Sequence, residues 1–233
     1  ASWDGTVRIW EVDSGKEIWY KDRGNSSAYE VEFADNDLYL MTADLGQKFE
    51  LVELDSKEVF RSHVGHTNTV SDFEKWREGN ALVSSSWDGT MKVWDYSSGM
   101  LKSKFKLENA RALSLAVSEK QGTALVGGSD RQIHLIDLKT GNETKILHGH
   151  TNSVSSLSLN EDVGLLVSTS VDGEIKVWSM ADWKELYTYI PISRSDWLAK
   201  NEAGYFDGTK EALKLINYVS GMESVSVSSL FKK

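Results

Sequence analysis

The stretches SWDGTVRIW (residues 2–10), SWDGTMKVW (86–94) and SVDGEIKVW (170–178) are versions of one pattern, and GSDRQIHLI (128–136) falls into the same frame. With the turn aspartate as ruler, Asp4, Asp44, Asp88, Asp130 and Asp172 are separated by 40, 44, 42 and 42 residues. A self-similar period of this length belongs to arrays of four-stranded β units.

Within each unit, Asp-Gly at 4–5, 88–89 and 172–173 sits between two β-rich runs. Both residue types tolerate positive φ, so the pair predicts a tight hairpin turn. Beyond the turn, Val7/Ile9, Met91/Val93, Ile133/Leu135 and Ile175/Val177 alternate on one strand face, and Trp10, Trp94 and Trp178 occupy the other. A strand apolar on both faces must be covered on both, which suits sheets stacked radially. Gly15, Gly99 and Gly141 mark the next turn, with Trp183 in that place in the last unit. Around Asp88 the four strands read TVSDFEKW, ALVSSS, TMKVW and LKSKFKL. The second unit, TADLGQKFELVEL, lacks the tryptophan, and its 44-residue interval implies about two extra residues.

Gly65-His66 lies 22 residues before Asp88 and Gly149-His150 lies 22 before Asp172, with a tryptophan closing each strand. On these positions the chain resembles the WD-repeat β-propeller family over residues 1 to about 190. The resemblance implies an all-β fold with a buried network of Trp94, Ser84, His66 and Asp88, repeated as Trp178, Ser168, His150 and Asp172. Ser86 and Ser170, two residues away, are the alternative hydroxyls. An indole N–H only donates and a carboxylate only accepts, so hydroxyl and imidazole between them make a satisfied relay. The unit around Asp130 departs from the pattern, with Ile136 for tryptophan and Glu108-Asn109 for Gly-His.

About four and a half blades are expected: 1–23 (partial), 24–62 (degenerate), 63–106, 107–147 and 148–190. The family usually closes with seven, so the resemblance implies a fragment of a larger ring. An alternative has strands near 197–199 and 204–206 complete the blade begun by residues 1–23. After the only proline, Pro191, the extension 191–233 changes character. TKEALKLINYVSG predicts a short helix near 209–220, with Thr209 as N-cap, Ala212, Leu215, Ile216 and Val219 on one stripe and Gly221 as stop. This tail resembles the linker of bacterial WD-repeat proteins that carry a caspase-like peptidase domain. That resemblance implies a sensory or regulatory propeller of a larger enzyme as the alternative function, and a bacterial source.

The 233 residues hold 26 Lys+Arg against 35 Asp+Glu, a net charge of -9, the wrong sign for binding a phosphate backbone. No window reaches the roughly 18 apolar residues of a membrane helix. Nucleic acid and membrane are therefore not expected partners. With no cysteine there are neither disulfides nor thiolate ligands, and a cytoplasmic location is expected. His63/His66 and His148/His150 could be imagined as metal pairs, but each has a member assigned to a relay. GYFDGTK (204–210) fails the spacing of a phosphate loop, and no GxSxG elbow occurs. No metal, cofactor or catalytic residue is expected. The remaining function is recognition of a protein or peptide by blade-tip loops. Its candidate residues are Trp3, Trp87 and Val171, which precede the turn aspartates, with Thr67, Asn68, Thr151 and Asn152.

Overall fold

A computed structural model describes residues 1–24, 27–34, 38–220 and 223–226. β1 (Thr6–Trp10) and β2 (Glu17–Asp22) form a two-stranded sheet. β3 (Ala28–Ala34), β4 (Tyr39–Asp44), β5 (Lys48–Glu53) and β6 (Val59–Val64) form the first four-stranded sheet. β7 (Val70–Trp76), β8 (Ala81–Ser86), β9 (Thr90–Asp95) and β10 (Leu101–Lys106) form the second. β11 (Ala112–Ser118), β12 (Thr123–Gly128), β13 (Ile133–Asp137) and β14 (Glu143–Leu147) form the third. Then come β15 (Val154–Asn160), β16 (Leu165–Ser170), β17 (Ile175–Ser179), β18 (Glu185–Pro191), β19 (Trp197–Lys200) and β20 (Phe206–Gly208), in one sheet in that order. A four-residue helix, α1 (Lys210–Leu213), and the hairpin β21 (Asn217–Ser220) and β22 (Glu223–Ser226) complete the described residues. No described helix is long and apolar enough to cross a membrane. The chain divides into two compact units, 1–157 and 158–233, with the division inside β15.

Every sheet is an antiparallel meander, as the short turns require. At the hairpin before β9, the Asp88 carboxylate accepts the Thr90 N–H at 2.9 Å and the Thr90 hydroxyl at 2.6 Å. Gly89 follows with φ +80°, and a Cβ there would stand 2.5 Å from the Ala110 carbonyl. The outer turns use the left-handed conformation too. Gly15, Gly99 and Gly141 adopt it, and so do Lys57 and Trp183 in their places, at φ +61° and +60°. In the first unit the core fills the spaces between neighbouring sheets. Phe49 of β5 stacks on Phe73 of β7 with ring centroids 5.6 Å apart and meets the Trp94 indole of β9 edge-on at 5.9 Å.

The strands correct several expectations. β1, β5 and β9 begin at Thr6, Lys48 and Thr90, a uniform spacing of 42 residues. The second repeat therefore holds no extra residues: Asp44 ends β4, and Gly46 stands where the turn aspartate does elsewhere. Val52 then replaces the tryptophan, and Lys57 aligns with Gly99. β6 runs to Val64, past the expected blade limit at 62, because His63 and Val64 pair with β5. Trp10, expected to be covered, is 53% exposed, whereas Trp94 is 2% exposed. The strands at 197–200 and 206–208 extend the sheet that precedes them: β19 pairs with β18 and β20 pairs with β19. The expected helix near 209–220 shrinks to α1, because residues 217–220 pair as β21. Thr209 is its N-cap residue, with extended backbone, but the hydroxyl makes no capping bond and donates to Asp196 at 2.9 Å. Leu215 is exposed, and Gly221 lies outside the described residues.

One regularity spans the outer hairpins. Arg8 donates to Glu17 at 2.6 Å, His134 bonds Glu143 at 2.5 Å and Lys176 pairs with Glu185 at 3.1 Å, each basic residue four residues past a turn aspartate. In β9–β10 the basic residue is Lys92, but Leu101, paired with Trp94, holds the position where the others have glutamate, and Lys92 donates to the Gly65 carbonyl. Leu101 is 48% exposed, so its own packing contributes little. Leu101→Glu is expected to stabilise the fold by about 1 kcal/mol. At this chain length that raises the melting midpoint by roughly 2–4 °C. A double-mutant cycle with Lys92→Met checks it: an equal gain without the ammonium would refute the pairing.

Candidate functional site

The candidate site is built on the gap between each hairpin turn and the loop that enters the sheet. In the second four-stranded sheet, Trp94 Nε1 donates to Ser84 Oγ at 2.8 Å, and Ser84 Oγ lies 2.8 Å from His66 Nε2. His66 Nδ1 lies 3.0 Å from Asp88 Oδ2, which also accepts the Thr67 N–H at 2.8 Å. Because the indole can only donate, the Ser84 hydroxyl donates to Nε2, and the Nδ1 proton goes to Asp88. Burial lowers the His66 pKa despite the pull of Asp88, so the neutral tautomer is favoured. Burial opposes the charge on Asp88, but hydrogen bonds from Thr90, Thr67 and His66 outweigh it and hold the carboxyl at about 2. Ser86 serves a different purpose: it donates to the Asn68 carbonyl and accepts the Asp88 N–H. Gly65 backs the indole, since a Cβ there would stand 3.1 Å from Trp94 Cη2.

In the second unit, Trp178 Nε1 donates to Ser168 Oγ at 2.8 Å, and Asp172 accepts the Glu174 N–H at 2.8 Å. His150, in the first unit, is buried. His63, like His66, meets the Trp94 indole edge-on, with centroids 5.7 and 5.9 Å away respectively. It stacks on Phe49 with centroids 4.4 Å apart, and burial, with Arg61 nearby, pushes its pKa down to about 4.

The other two four-stranded sheets of the first unit fill the same gap differently. At the positions of Gly65, Ser84, Lys92 and Trp94, the earlier sheet has Arg23, Thr42, Glu50 and Val52. There the Arg23 guanidinium is bound by Glu50 at 3.2 Å and also donates to the Thr42 hydroxyl, with Lys48 on the other Glu50 oxygen at 2.7 Å. In the later sheet the same positions are Leu107, Val126, His134 and Ile136. His134 lies between two carboxylates, with Nε2 at 2.9 Å from Asp130 and Nδ1 at 2.5 Å from Glu143.

The relay fixes the backbone of loops whose side chains face solvent. Thr67 and Asn68 are exposed, although Asp88 holds the Thr67 N–H and Asn68 accepts from Ser86. Trp3 is 78% exposed, with its carbonyl held by Ser27. Trp87 is half-buried: Tyr29 meets its ring edge-on at 5.8 Å and the Arg111 guanidinium lies over it at 5.6 Å. Thr151 and Asn152 are exposed in the first unit and Val171 in the second.

A second constellation lies at the junction of β7 with β11, and sequence reasoning missed it. β11 is the edge strand of its sheet, so its outward N–H groups need acceptors. Asp72 Oδ2 accepts the Leu115 N–H at 2.8 Å and Glu74 Oε2 accepts the Val117 N–H at 2.7 Å. Burial, with Glu30 and Glu32 close by, raises Asp72 to about 7. Burial, with Asp72, Glu32 and Glu119 close by, raises Glu74 to about 8, and enclosure beside Glu30 raises Glu32 to about 7. The signal in the sequence was the alternation Asp72-x-Glu74 on the first strand of its sheet, one face of which must meet the next sheet.

Residues 57–95 and 141–179 match the family WD domain, G-beta repeat. The chain is 33% identical over 146 residues to the U3 snoRNP-associated protein-like EMB2271 of Arabidopsis thaliana, covering 54% of this chain and 30% of that one. It is 31% identical over 129 residues to apoptotic protease-activating factor 1 of Rattus norvegicus, covering 55% and 10%. It is 28% identical over 148 residues to the COMPASS component SWD3 of Saccharomyces cerevisiae, covering 60% and 47%. The chain thus spans less than half the length of these relatives. All three are eukaryotic, so the expected bacterial source and peptidase setting find no support in them.

Two outcomes follow from this geometry. Ser84→Ala strands the indole donor and the imidazole acceptor together, and is expected to cost roughly 2–6 kcal/mol in urea unfolding, from about 1–3 kcal/mol per buried group. A loss below about 0.5 kcal/mol would remove the relay from the stabilising contacts. The junction carboxyls, raised to about 7 and 8, hold protons in the folded state that the unfolded chain has released. Stability therefore declines as pH rises from about 7.5 to 8.5, a window above the unfolded-state value of 6.5 at which the depressed His63 and His66 stop contributing. Asp72→Asn with Glu74→Gln is expected to flatten that slope; an unchanged urea midpoint-versus-pH curve would contradict the assignment.

Proposed function

We propose that these WD40 repeats form a noncatalytic platform for a protein or peptide partner, bound through the loops that precede the hairpin turns. The observation that carries this reading is the double duty of Asp88. One carboxylate holds the turn through Thr90 and the entering loop through Thr67 and His66. Thr67 and Asn68 are thus presented on a backbone already fixed, so association orders little chain. Trp3 supplies the large exposed indole that interface anchors favour. Trp87 supports the surface from beneath, between Tyr29 and Arg111. The names of the relatives, a COMPASS component and a U3 snoRNP-associated protein, speak for membership in assemblies. A net charge of -9 favours a protein partner over a nucleic-acid backbone. In the second unit, Val171 holds the position corresponding to Trp3 and Trp87.

The test is affinity capture from cell extract by the immobilised chain, repeated with Trp3→Ala/Thr67→Ala/Asn68→Ala and with Lys102→Ala on outer strand β10. Partners that vanish only with the tip-loop variant, at an unshifted melting curve, support the reading. Partners retained at full recovery by that variant overturn it.

A further inference from the structure

In the second unit the repeat accounts for β15–β18 but not for β19 and β20, which are added beyond the outer strand of that meander. Their register decides which side chains share a face. Tyr189, Ala199 and Asp207 stand opposite one another across β18, β19 and β20, and Thr188, Lys200 and Phe206 form the next row. Tyr187, Asn201 and Tyr205 continue that register by one row. There the Asn201 N–H donates to the Tyr205 carbonyl at 3.0 Å and the Tyr205 N–H donates to Asn201 Oδ1 at 3.0 Å. Because successive side chains alternate between faces, Tyr187, Ala199, Asn201, Tyr205 and Asp207 share one face of the sheet. These five border a cavity of about 190 Å³. Lys200 and Phe206, which border it too, alternate to the opposite face, where Lys200 pairs with Glu174 at 3.5 Å.

Neighbouring strands lie about 4.8 Å apart, so the backbones of Tyr187 and Tyr205, two strands apart in one row, stand roughly 10 Å from each other. Rings rising from those positions leave between them a slot one alkylammonium group wide, with each ring inside the roughly 6 Å over which an aromatic face attracts a cation. Both rings are available to a ligand. Tyr187 is 43% exposed and Tyr205 is 76% exposed, and neither stacks on another ring among the described residues, whereas Tyr189 of the same face is stacked on Trp197 at 5.5 Å. Ala199, with its single methyl, keeps the floor of the slot low. The charge at its side is negative: Asp207 Oδ1 accepts the Gly208 N–H at 2.7 Å, and Oδ2 accepts no bond among the described residues. Two aromatic walls with one carboxylate suit a cation that carries methyl groups in place of N–H donors, because such a group gives up little hydration on entering and asks for no acceptors in return. The cavity is smaller than the sites of drug-sized molecules, which fits a head group rather than a whole ligand.

We infer that this face binds a trimethylammonium group, seated between Tyr187 and Tyr205 with Asp207 as its counter-charge. The group belongs either to a small free cation or to a trimethylated lysine of a peptide. The site lies outside the repeats and stands or falls apart from the tip loops. The test is titration of the full chain, followed by nuclear magnetic resonance of the tyrosine rings, with choline and, separately, with the peptide acetyl-Gly-Ala-Lys(trimethyl)-Ala-Gly-amide. Saturable binding that weakens roughly three- to tenfold in Tyr187→Ala and in Asp207→Asn, with melting curves preserved, supports the site. Binding of choline assigns it to free cations, and binding of the peptide alone assigns it to chain-borne lysine. If Tyr187→Ala does not fold, Tyr205→Ala, at the more exposed wall, decides. Neohexanol, the isostere of choline with carbon in place of the charged nitrogen, is expected to bind at least threefold more weakly than choline; equal affinity would reduce the site to an apolar patch and overturn the inference. Absence of saturable binding with either cation, or affinities unchanged in the tyrosine variants, overturns it as well.

Discussion

The structure depends on one recurrent constraint: the gap between a hairpin turn and the loop entering its sheet contains polar groups that must all be matched once water is excluded. In the β7–β10 sheet the match is a one-way chain of donors from Trp94 through Ser84 and His66 to Asp88. Direction matters because the two ends are chemically fixed, a pure donor and a pure acceptor. Remove an interior member and both neighbours are left buried and unmatched. The ion pair of Arg23 with Glu50 answers the same constraint with charge, and the His134 pairings answer it with an imidazole between two carboxylates. Three chemistries therefore occupy one backbone frame, and the frame persists because the apolar faces between sheets do not change with them.

Those faces are joined by a second device. An edge strand presents unpaired N–H groups, and Asp72 and Glu74 of β7 satisfy two of them on β11. Ser71 extends the same junction by donating to the Ala112 carbonyl at 2.8 Å. The carboxylates are crowded by Glu30, Glu32 and Glu119, so the contact that fastens neighbouring sheets is also the place where acidic charge is least comfortable. Fastening and presentation then meet at the tip, where Arg111, ahead of β11, lies over Trp87, ahead of β9. A change in the spacing of these sheets would move that pair.

The meander and its turns were legible because they rest on local chemistry. Asp-Gly at the inner turn and glycine at the outer turn follow from backbone conformation, and period-two apolar patterning follows from the pleat. The reading slipped where an aspartate was used as ruler without its turn. Asp44 lies at a strand end, and only pairing of β4 with β5 shows that the unit keeps the common period. The helix expected in the tail failed for a related reason: its apolar stripe is compatible with α1 alone, and cross-strand partners for residues 217–220 claim the rest.

The sequence by itself determined the repeat, the strand order within each sheet and the residue types available to each gap, because these are set within one period of chain. Tertiary structure decided which of those residues meet. Arg23 and Glu50 lie 27 residues apart, and Asp72 and Leu115 lie 43 apart; no local pattern predicts that one becomes an ion pair and the other an acceptor for a neighbouring edge.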